Sequence, residues 1–191
     1  NLALLLLILL FTSFASKAQY KPFAFGFKAA PSIGWLKTDT RDYSGGSSLG
    51  FSWGIVGEFN FSESYCLATG VNFVFANSQV SYPDLRTVTV PSEVQVDRKL
   101  RVKYLQVPLA LKMRTGEIGK MRFFGQFGLG TGFRLNAKGK DEYSLSSTTY
   151  NETNNIDGEV SFIRESLLVG LGAEYKLKGG SLLSVGISLD N

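Results

Sequence analysis

The feature that most constrains the fold is an unbroken alternation along residues 121–135, which read MRFFGQFGLGTGFRL. Odd-numbered positions carry most of the large apolar residues, whereas even-numbered positions are mainly glycine, polar or charged. A period of two residues is typical of a β-strand with one apolar and one polar face. The apolar face is either the core of a water-soluble barrel or the outside of a membrane barrel, so the orientation of this face decides the fold.

The same alternation recurs along the chain and predicts seven strands separated by turn signals. Most of them exceed the length of about five or six residues that is common in soluble proteins. They reach the roughly nine to eleven residues that a tilted strand needs to cross a bilayer. The predicted strands are residues 21–37, 48–61, 65–82, 100–115, 120–137, 162–177 and 181–189.

The connections between these strands alternate between long and short. Tight turns are predicted at residues 62–64, 116–119 and 178–180, and long polar loops at residues 38–46, 83–98 and 138–161. This pattern is typical of an outer-membrane barrel, in which short turns face the periplasm and long loops face outward.

Composition favours a membrane barrel with its apolar face outward. Charged residues make up only 19% of the chain, where about a quarter is usual, and there are 21 glycines. Glycine and serine would form a poor water-facing surface, but they suit the crowded interior of a small barrel. Aromatic residues are expected to form two interfacial girdles. The girdle near the turns comprises Phe23, Phe59, Phe61, Tyr65, Phe123 and Tyr175, and the girdle near the loops comprises Trp35, Phe51, Trp53, Phe75 and Phe133.

The first residues predict export from the cytoplasm. Residues 2–11 form an apolar run that is too short for a membrane-spanning helix and fits a secretory signal peptide. We therefore predict a cleaved signal peptide at residues 1–18 and an outer-membrane β-barrel domain at residues 19–191. Because single-chain bacterial barrels contain an even number of strands, we expect an all-β, antiparallel, up-and-down transmembrane barrel of eight strands. Seven of them are present, and the C-terminal strand is expected to lie beyond this sequence.

The scarcity of catalytic residue types argues against an enzyme. Histidine is absent and Cys66 is the only cysteine. The chain therefore contains no Ser-His-Asp or Cys-His pair, no histidine-ligated metal site and no internal disulfide. We expect no catalytic, cofactor-binding or metal-binding residues, and no cofactor. Cys66 is expected to be a small packed residue rather than a reactive thiol. The net charge of +4 is dispersed, which argues against nucleic-acid binding.

Five charged residues are predicted on the inward face of the barrel, in the half nearest the turns. A buried isolated charge is costly, so we predict that Glu58 and Glu174 pair with the nearby cations. Such a group either forms a selectivity filter or proton path, or closes the barrel as a plug. We favour the plug because side chains fill the interior of an eight-stranded barrel. The five residues are Lys28, Glu58, Lys112, Arg122 and Glu174.

Two arginines near the loops are also predicted to point inward. Arg134 and Arg164 could hold an anionic ligand such as a lipid phosphate, or they could bond to loop carboxylates. Asp141 and Glu142 are near in sequence, and the second interpretation is the more common one.

Alternating residues within the second long loop predict a hairpin above the membrane. Residues 86–90 and 93–96 alternate on either side of Pro91 and Ser92. The hairpin is either a twisted surface ribbon, which we favour, or an edge that recruits a strand from a partner.

Three segments carry a family resemblance. The segments FAFGFKAAPSIGW, YLQVPLALKM and FGQFGLGTGF resemble the PorT-like outer-membrane β-barrel family, which is abundant in Bacteroidetes. Residues 104–109, YLQVPL, are similar to a frequent YLEIPL strand in that family. The resemblance implies an eight-stranded barrel of the porin-family type and an accommodated proline at Pro108, since proline otherwise removes a ladder hydrogen bond. The namesake of the family is linked to protein secretion.

The predicted function is a non-enzymatic structural or interaction role in the outer membrane, as an accessory to secretion or envelope assembly. The expected partners are outer-membrane lipid and an envelope or secretion-machinery protein. The alternative is a narrow porin-like channel or ligand-binding barrel for small solutes. A membrane-embedded lipid hydrolase or acyltransferase is disfavoured, because barrel enzymes of that kind use a histidine base.

Overall fold

The computed structural model describes residues 22–35, 44–87, 91–145 and 148–191. The signal peptide predicted for residues 1–18 lies outside these residues. Within them, no helix is long and apolar enough to cross a membrane. The described residues form eight β-strands, which are in chain order β1 Phe23–Trp35, β2 Ser44–Asn60, β3 Tyr65–Thr87, β4 Pro91–Arg114, β5 Met121–Leu145, β6 Thr148–Asn155, β7 Ile163–Lys176 and β8 Leu182–Asp190.

The strands form one antiparallel, up-and-down sheet that curls into a half-barrel. Its order is β1-β2-β3-β4-β5-β7-β8. Consecutive strands pair with each other, except that β7 pairs with β5 rather than with β6. β6 forms a hairpin with the far half of β5, where Tyr143 pairs with Tyr150. The near half of β5 pairs with β7, from Met121 opposite Tyr175 to Phe133 opposite Ile163. The all-β, antiparallel fold predicted from the alternation is confirmed.

The seven predicted strands all exist, but the third long loop was interpreted wrongly. β5 continues to Leu145, and β6 lies inside the segment predicted as loop, residues 138–161. The segment is too polar to resemble a membrane strand, yet its backbone pairs within a hairpin above the membrane-spanning part. The hairpin predicted from residues 86–96 is confirmed, because β3 and β4 pair as far as Thr87 opposite Pro91. Residues 88–90 lie outside the described part.

The apolar face of the sheet points outward, as predicted. Leu129 is 60% exposed and Leu171 is 61% exposed, whereas Ala110 on the opposite face is buried. Aromatic rings form pairs on this outer face. At the turn end, the ring centroids of Phe23 and Phe59 are 5.0 Å apart. Toward the loop end, those of Trp53 and Phe73 are 4.9 Å apart. These positions agree with the two predicted girdles, although the side chain of Trp35 lies outside the described part.

Pro31 and Pro108 are accommodated without breaking their strands. β1 pairs continuously with β2 through Pro31 opposite Phe51. Pro108 pairs with Gly130 of β5, while the ladder toward β3 is interrupted between Leu109 and Gln106. The hydroxyl of Thr69 donates a hydrogen bond to the Pro108 carbonyl oxygen at 2.9 Å, which partly replaces the missing ladder bonds.

Candidate functional site

An ion-pair cluster fills the concave side of the sheet near the tight turns. We call Glu58, Lys112, Arg114, Arg122 and Glu174 the inner cluster. They come from β2, β4, β5 and β7, on the inward positions that the alternation defines. Arg122 pairs directly opposite Glu174 in the ladder between β5 and β7. β4 places Lys112 and Arg114 two residues apart, so both side chains project into the same space.

Lys112 joins the two carboxylates of the inner cluster. Its Nζ lies 2.7 Å from Glu58 Oε1 and 2.5 Å from Glu174 Oε1. Arg114 also contacts both carboxylates, with its Nε 3.1 Å from Glu174 Oε2 and its Nη2 bonded to Glu58 Oε2. Arg122 Nη2 lies 3.2 Å from Glu174 Oε2. Each charge therefore has at least one opposite partner within the cluster.

Burial makes these contacts strong. The side chains of Glu174, Lys112 and Arg114 are 1%, 5% and 4% exposed. Such charges are tolerated out of water only when they are paired and hydrogen-bonded. Two further groups assist, because Asn60 Oδ1 accepts a hydrogen bond from Arg114 at 2.7 Å and Lys112 Nζ lies 4.2 Å from the ring centroid of Phe124. The cluster is thus a densely bonded network on the concave side of the sheet.

The predicted pairing of Glu58 and Glu174 with Lys112 and Arg122 is confirmed, with two corrections. Lys28 forms no ion pair with a described residue, so it does not belong to the cluster. Lys28 pairs with Gly54 in the ladder between β1 and β2, and Gly54 lies four residues from Glu58 along β2, on the side toward the loops. Lys28 is therefore too far toward the loops to join the cluster. Arg114 was not predicted to join the cluster. Its position two residues beyond Lys112 on the same face is the signal that identifies it.

The two arginines predicted near the loops bind protein groups, but not the predicted carboxylates. Arg134 Nη1 donates to the backbone carbonyls of Asp157 and Val160, and its Nε lies 3.7 Å from Asp157 Oδ1. Arg164 Nη2 lies 3.3 Å from Asp190 Oδ1. Arg134 therefore bonds to the loop and Arg164 to a carboxylate of β8, and the assignment of these arginines to Asp141 or Glu142 is wrong.

Above this interior, the far halves of β3, β4 and β5 continue with β6 as a sheet that we call the upper sheet. Its concave face carries a small apolar core formed by Val80, Tyr82, Val96 and Tyr143. Beside this core, the guanidinium of Arg98 forms a two-pronged bond with Asp141, at 2.6 Å from Nε to Oδ1 and 2.8 Å from Nη2 to Oδ2. In the upper sheet the apolar face is therefore the inner one, the reverse of the arrangement nearer the turns.

The apolar outer face and the buried charges agree with a comparison against protein families. A family model for the outer membrane protein beta-barrel domain matches residues 14–189. The chain belongs to this outer-membrane β-barrel family. The outer-membrane barrel accordingly places its apolar outer face against lipid, with the inner cluster on its concave side. A search of curated proteins found no match, and a search of solved structures found none either.

Cys66 of this barrel is packed, as predicted. It is free, fully buried and opposite Lys112 in the ladder between β3 and β4. A small side chain at this position leaves room for Arg114 and Lys112 to reach the carboxylates.

Replacing Arg98 by glutamine should loosen the upper sheet without unfolding the barrel. The hydrogen bond to Asp141, together with the negative charge of Asp141, raises the pKa of Arg98 above its usual value, so Arg98 stays charged. A charged hydrogen bond contributes about 1.5–3 kcal/mol, so amides of β6 should exchange hydrogen roughly 10- to 100-fold faster in Arg98→Gln. Hydrogen-exchange mass spectrometry measures this. Lys99→Gln, which removes a more exposed cation one residue away, is the control, and equal exchange in both variants would contradict the assignment.

Proposed function

We propose that this outer-membrane barrel has a non-enzymatic structural or interaction role, with its interior closed near the periplasmic turns. The observation that carries the proposal is the reach of Lys112, which bonds to Glu58 on β2 and to Glu174 on β7 from its position on β4. Contacts that join β2, β4 and β7 across the concave side leave little room for a solute to pass. The inner cluster therefore supports the plug rather than the selectivity filter.

The chemistry of the inner cluster also argues against ion conduction. A conducting site binds an ion weakly enough to release it and keeps charged groups available to water. In the inner cluster the carboxylates already bind protein cations, and Glu174 is almost fully buried. A permeating cation would have to displace Lys112 and Arg114 from carboxylates that hold them at hydrogen-bonding distance.

The upper sheet supports an interaction role. On its outer edges, the described part of β6 pairs only with β5, and residues 82–87 of β3 pair only with β4. An exposed strand edge offers backbone donors and acceptors to a strand of another protein. We propose an envelope or secretion-machinery protein as the partner, in line with the resemblance to the PorT-like family, and a role as an accessory to secretion or envelope assembly.

Planar-bilayer recordings test the closed interior. The full-length protein, inserted into a bilayer of neutral lipid, should show no unitary current steps, because the inner cluster blocks the interior. A general porin inserted under the same conditions is the positive control for the recording. Reproducible steps whose cation selectivity changes in Glu58→Gln would refute the plug and favour the narrow channel.

A further inference from the structure

A compact patch of cations lies on the outer face of the sheet, just beyond the lipid-facing band. β4 contributes Lys99, Arg101 and Lys103, and β5 contributes Lys138 and Lys140. We call these five residues the outer basic patch. All of them are exposed except Lys140, which is partly buried. On β4 the next outward residue toward the turns is Leu105, so the outer face changes from cationic to apolar within two residues.

The register brings like charges directly opposite each other. Lys99 pairs with Lys140, and Arg101 pairs with Lys138, on adjacent rungs of the outer face. Like charges in such positions destabilise a sheet, so the arrangement has a cost that the protein itself offsets only in part. Among the described residues the only ion pair of the patch joins Lys99 to Glu142, with 3.6 Å between Nζ and Oε2. Arg101, Lys103, Lys138 and Lys140 thus have no carboxylate partner in the described part of the chain.

The depth of the patch indicates what neutralises it. Lys103 pairs with Asn136 at the rung just above Leu105 opposite Phe133, which belong to the lipid-facing band. Lys103 Nζ also lies 5.6 Å from the ring centroid of Phe75, a residue of the predicted aromatic girdle at the loop end. Cations at this depth are level with lipid headgroups.

The spacing of the patch suits phosphate groups. Side chains on paired residues are about 5 Å apart, and those two residues apart on one strand are about 7 Å apart, so one phosphate can contact two or three cations. Acidic residues on the same face lie at its margins. Asp97 and Glu142 lie nearer the hairpin tips, and Asp97 accepts a hydrogen bond from Ser81. Glu165 lies nearer the turns than the patch and accepts a hydrogen bond from Thr131. The centre of the patch is therefore left cationic.

We propose that the outer basic patch binds the phosphate groups of lipids in the outer leaflet. The apolar band below it holds the acyl chains, and the cations of β4 and β5 hold the phosphorylated headgroup. The site lies on the outer surface of the sheet at the edge of the lipid-facing band, separate from the inner cluster, so it does not depend on whether the interior is closed.

Binding of a phosphorylated lipid in detergent micelles tests the site. The probe is lipid A bearing two phosphates, compared with the same lipid after removal of its phosphates, and dissociation constants are measured with the full-length folded protein. We expect the phosphorylated lipid to bind at least about tenfold more tightly. The variant R101Q/K103Q/K138Q should lose about 100-fold in affinity, since each cation near a phosphate surface contributes about a fivefold factor.

Two matched variants separate a specific site from general charge. K120Q/K176Q/K178Q removes three exposed cations at the turn end and should bind within about twofold of the parent protein. R101K/K103R/K138R preserves the charges and should retain most of the affinity. Folding of each variant is checked by its heat-dependent migration on a gel, and the single variant R101Q, expected to lose about fivefold, replaces the triple variant if that does not fold.

Three results would overturn the proposal. The first is equal affinity for lipid with and without phosphates. The second is an equal loss of affinity in the turn-end variant, which would show that only net charge matters. The third is full displacement of the lipid by inorganic phosphate at constant ionic strength, which would show a site for free phosphate rather than for a lipid.

Discussion

Replacing Glu174 by glutamine is expected to lower the free energy of unfolding by about 3–5 kcal/mol, the largest effect that we expect of any single substitution in this barrel. Glu174 contacts Lys112, Arg114 and Arg122, and its side chain is 1% exposed. Glutamine has nearly the same shape, so the substitution removes charge without leaving a cavity. Lys112 and Arg114 would then share the single carboxylate of Glu58, and Arg122 would lose its carboxylate partner in the cluster.

Urea titration of the protein in lipid vesicles, followed by tryptophan fluorescence, measures this loss of stability. The matched control is Glu117→Gln, because Glu117 pairs with Lys176 at 3.0 Å on the surface, where both side chains are about half exposed. A surface pair of this kind contributes no more than about 1 kcal/mol. The double variant Glu174→Gln/Lys112→Gln should recover part of the loss, because it removes one of the uncompensated buried cations. If Glu174→Gln were as mild as Glu117→Gln, the cluster would not stabilise the barrel.

The part of the fold nearer the turns could be predicted because lipid imposes a simple rule on every strand. Side chains alternate between the two faces, so a residue's parity determines whether it meets lipid or the interior. This rule placed Glu58, Lys112 and Glu174 together before any pairing partner was known. It did not exclude Lys28, because parity gives the face of a residue but not its height along the barrel.

The upper sheet could not be predicted because a single bulge reverses the parity of β5. The register shifts between Lys103 and Tyr104, where Tyr104 pairs with Arg134 and Lys103 pairs with Asn136, so Leu135 is the extra residue. Beyond it, odd-numbered residues of β5 turn inward, and Asp141 comes to lie opposite Arg98 rather than near Arg134. No residue type in the sequence marks the bulge. The polar segment beyond it also lacks the lipid-facing pattern that identifies the other strands.

The same bulge completes the outer basic patch by adding the two lysines of β5. If β5 kept the register that it has before Leu135, Lys138 and Lys140 would point into the interior, like the other even-numbered residues of that strand. The shift of one residue turns them outward, opposite Arg101 and Lys99. A single irregularity thus adds Tyr143 to the apolar inner core and Lys138 and Lys140 to the cationic outer face.

A second large effect is expected at the middle of the lipid-facing band. Leu129 is 60% exposed in the protein and lies between Leu109 and Leu167 on the neighbouring strands. Replacing it by arginine should cost about 2–4 kcal/mol, because the side chain would enter the centre of the hydrocarbon region. The measurement is the same urea titration in vesicles, with the unfolding midpoint and slope compared between variants.

Two controls make Leu129→Arg a test of which face meets lipid. Leu183→Arg places the same side chain near the turn end of the outer face, opposite Tyr175, and should cost no more than about 1 kcal/mol because the penalty falls toward the interface. Leu129→Ala should cost far less than the roughly 2–5 kcal/mol of a leucine removed from a packed core, because lipid fills the space that the side chain leaves. A full core penalty in Leu129→Ala would mean that this face packs against protein. A small loss of stability in Leu129→Ala together with a large loss in Leu129→Arg requires that Leu129 contacts acyl chains. The opposite face is then the interior of the barrel, where the charges of the inner cluster must neutralise one another.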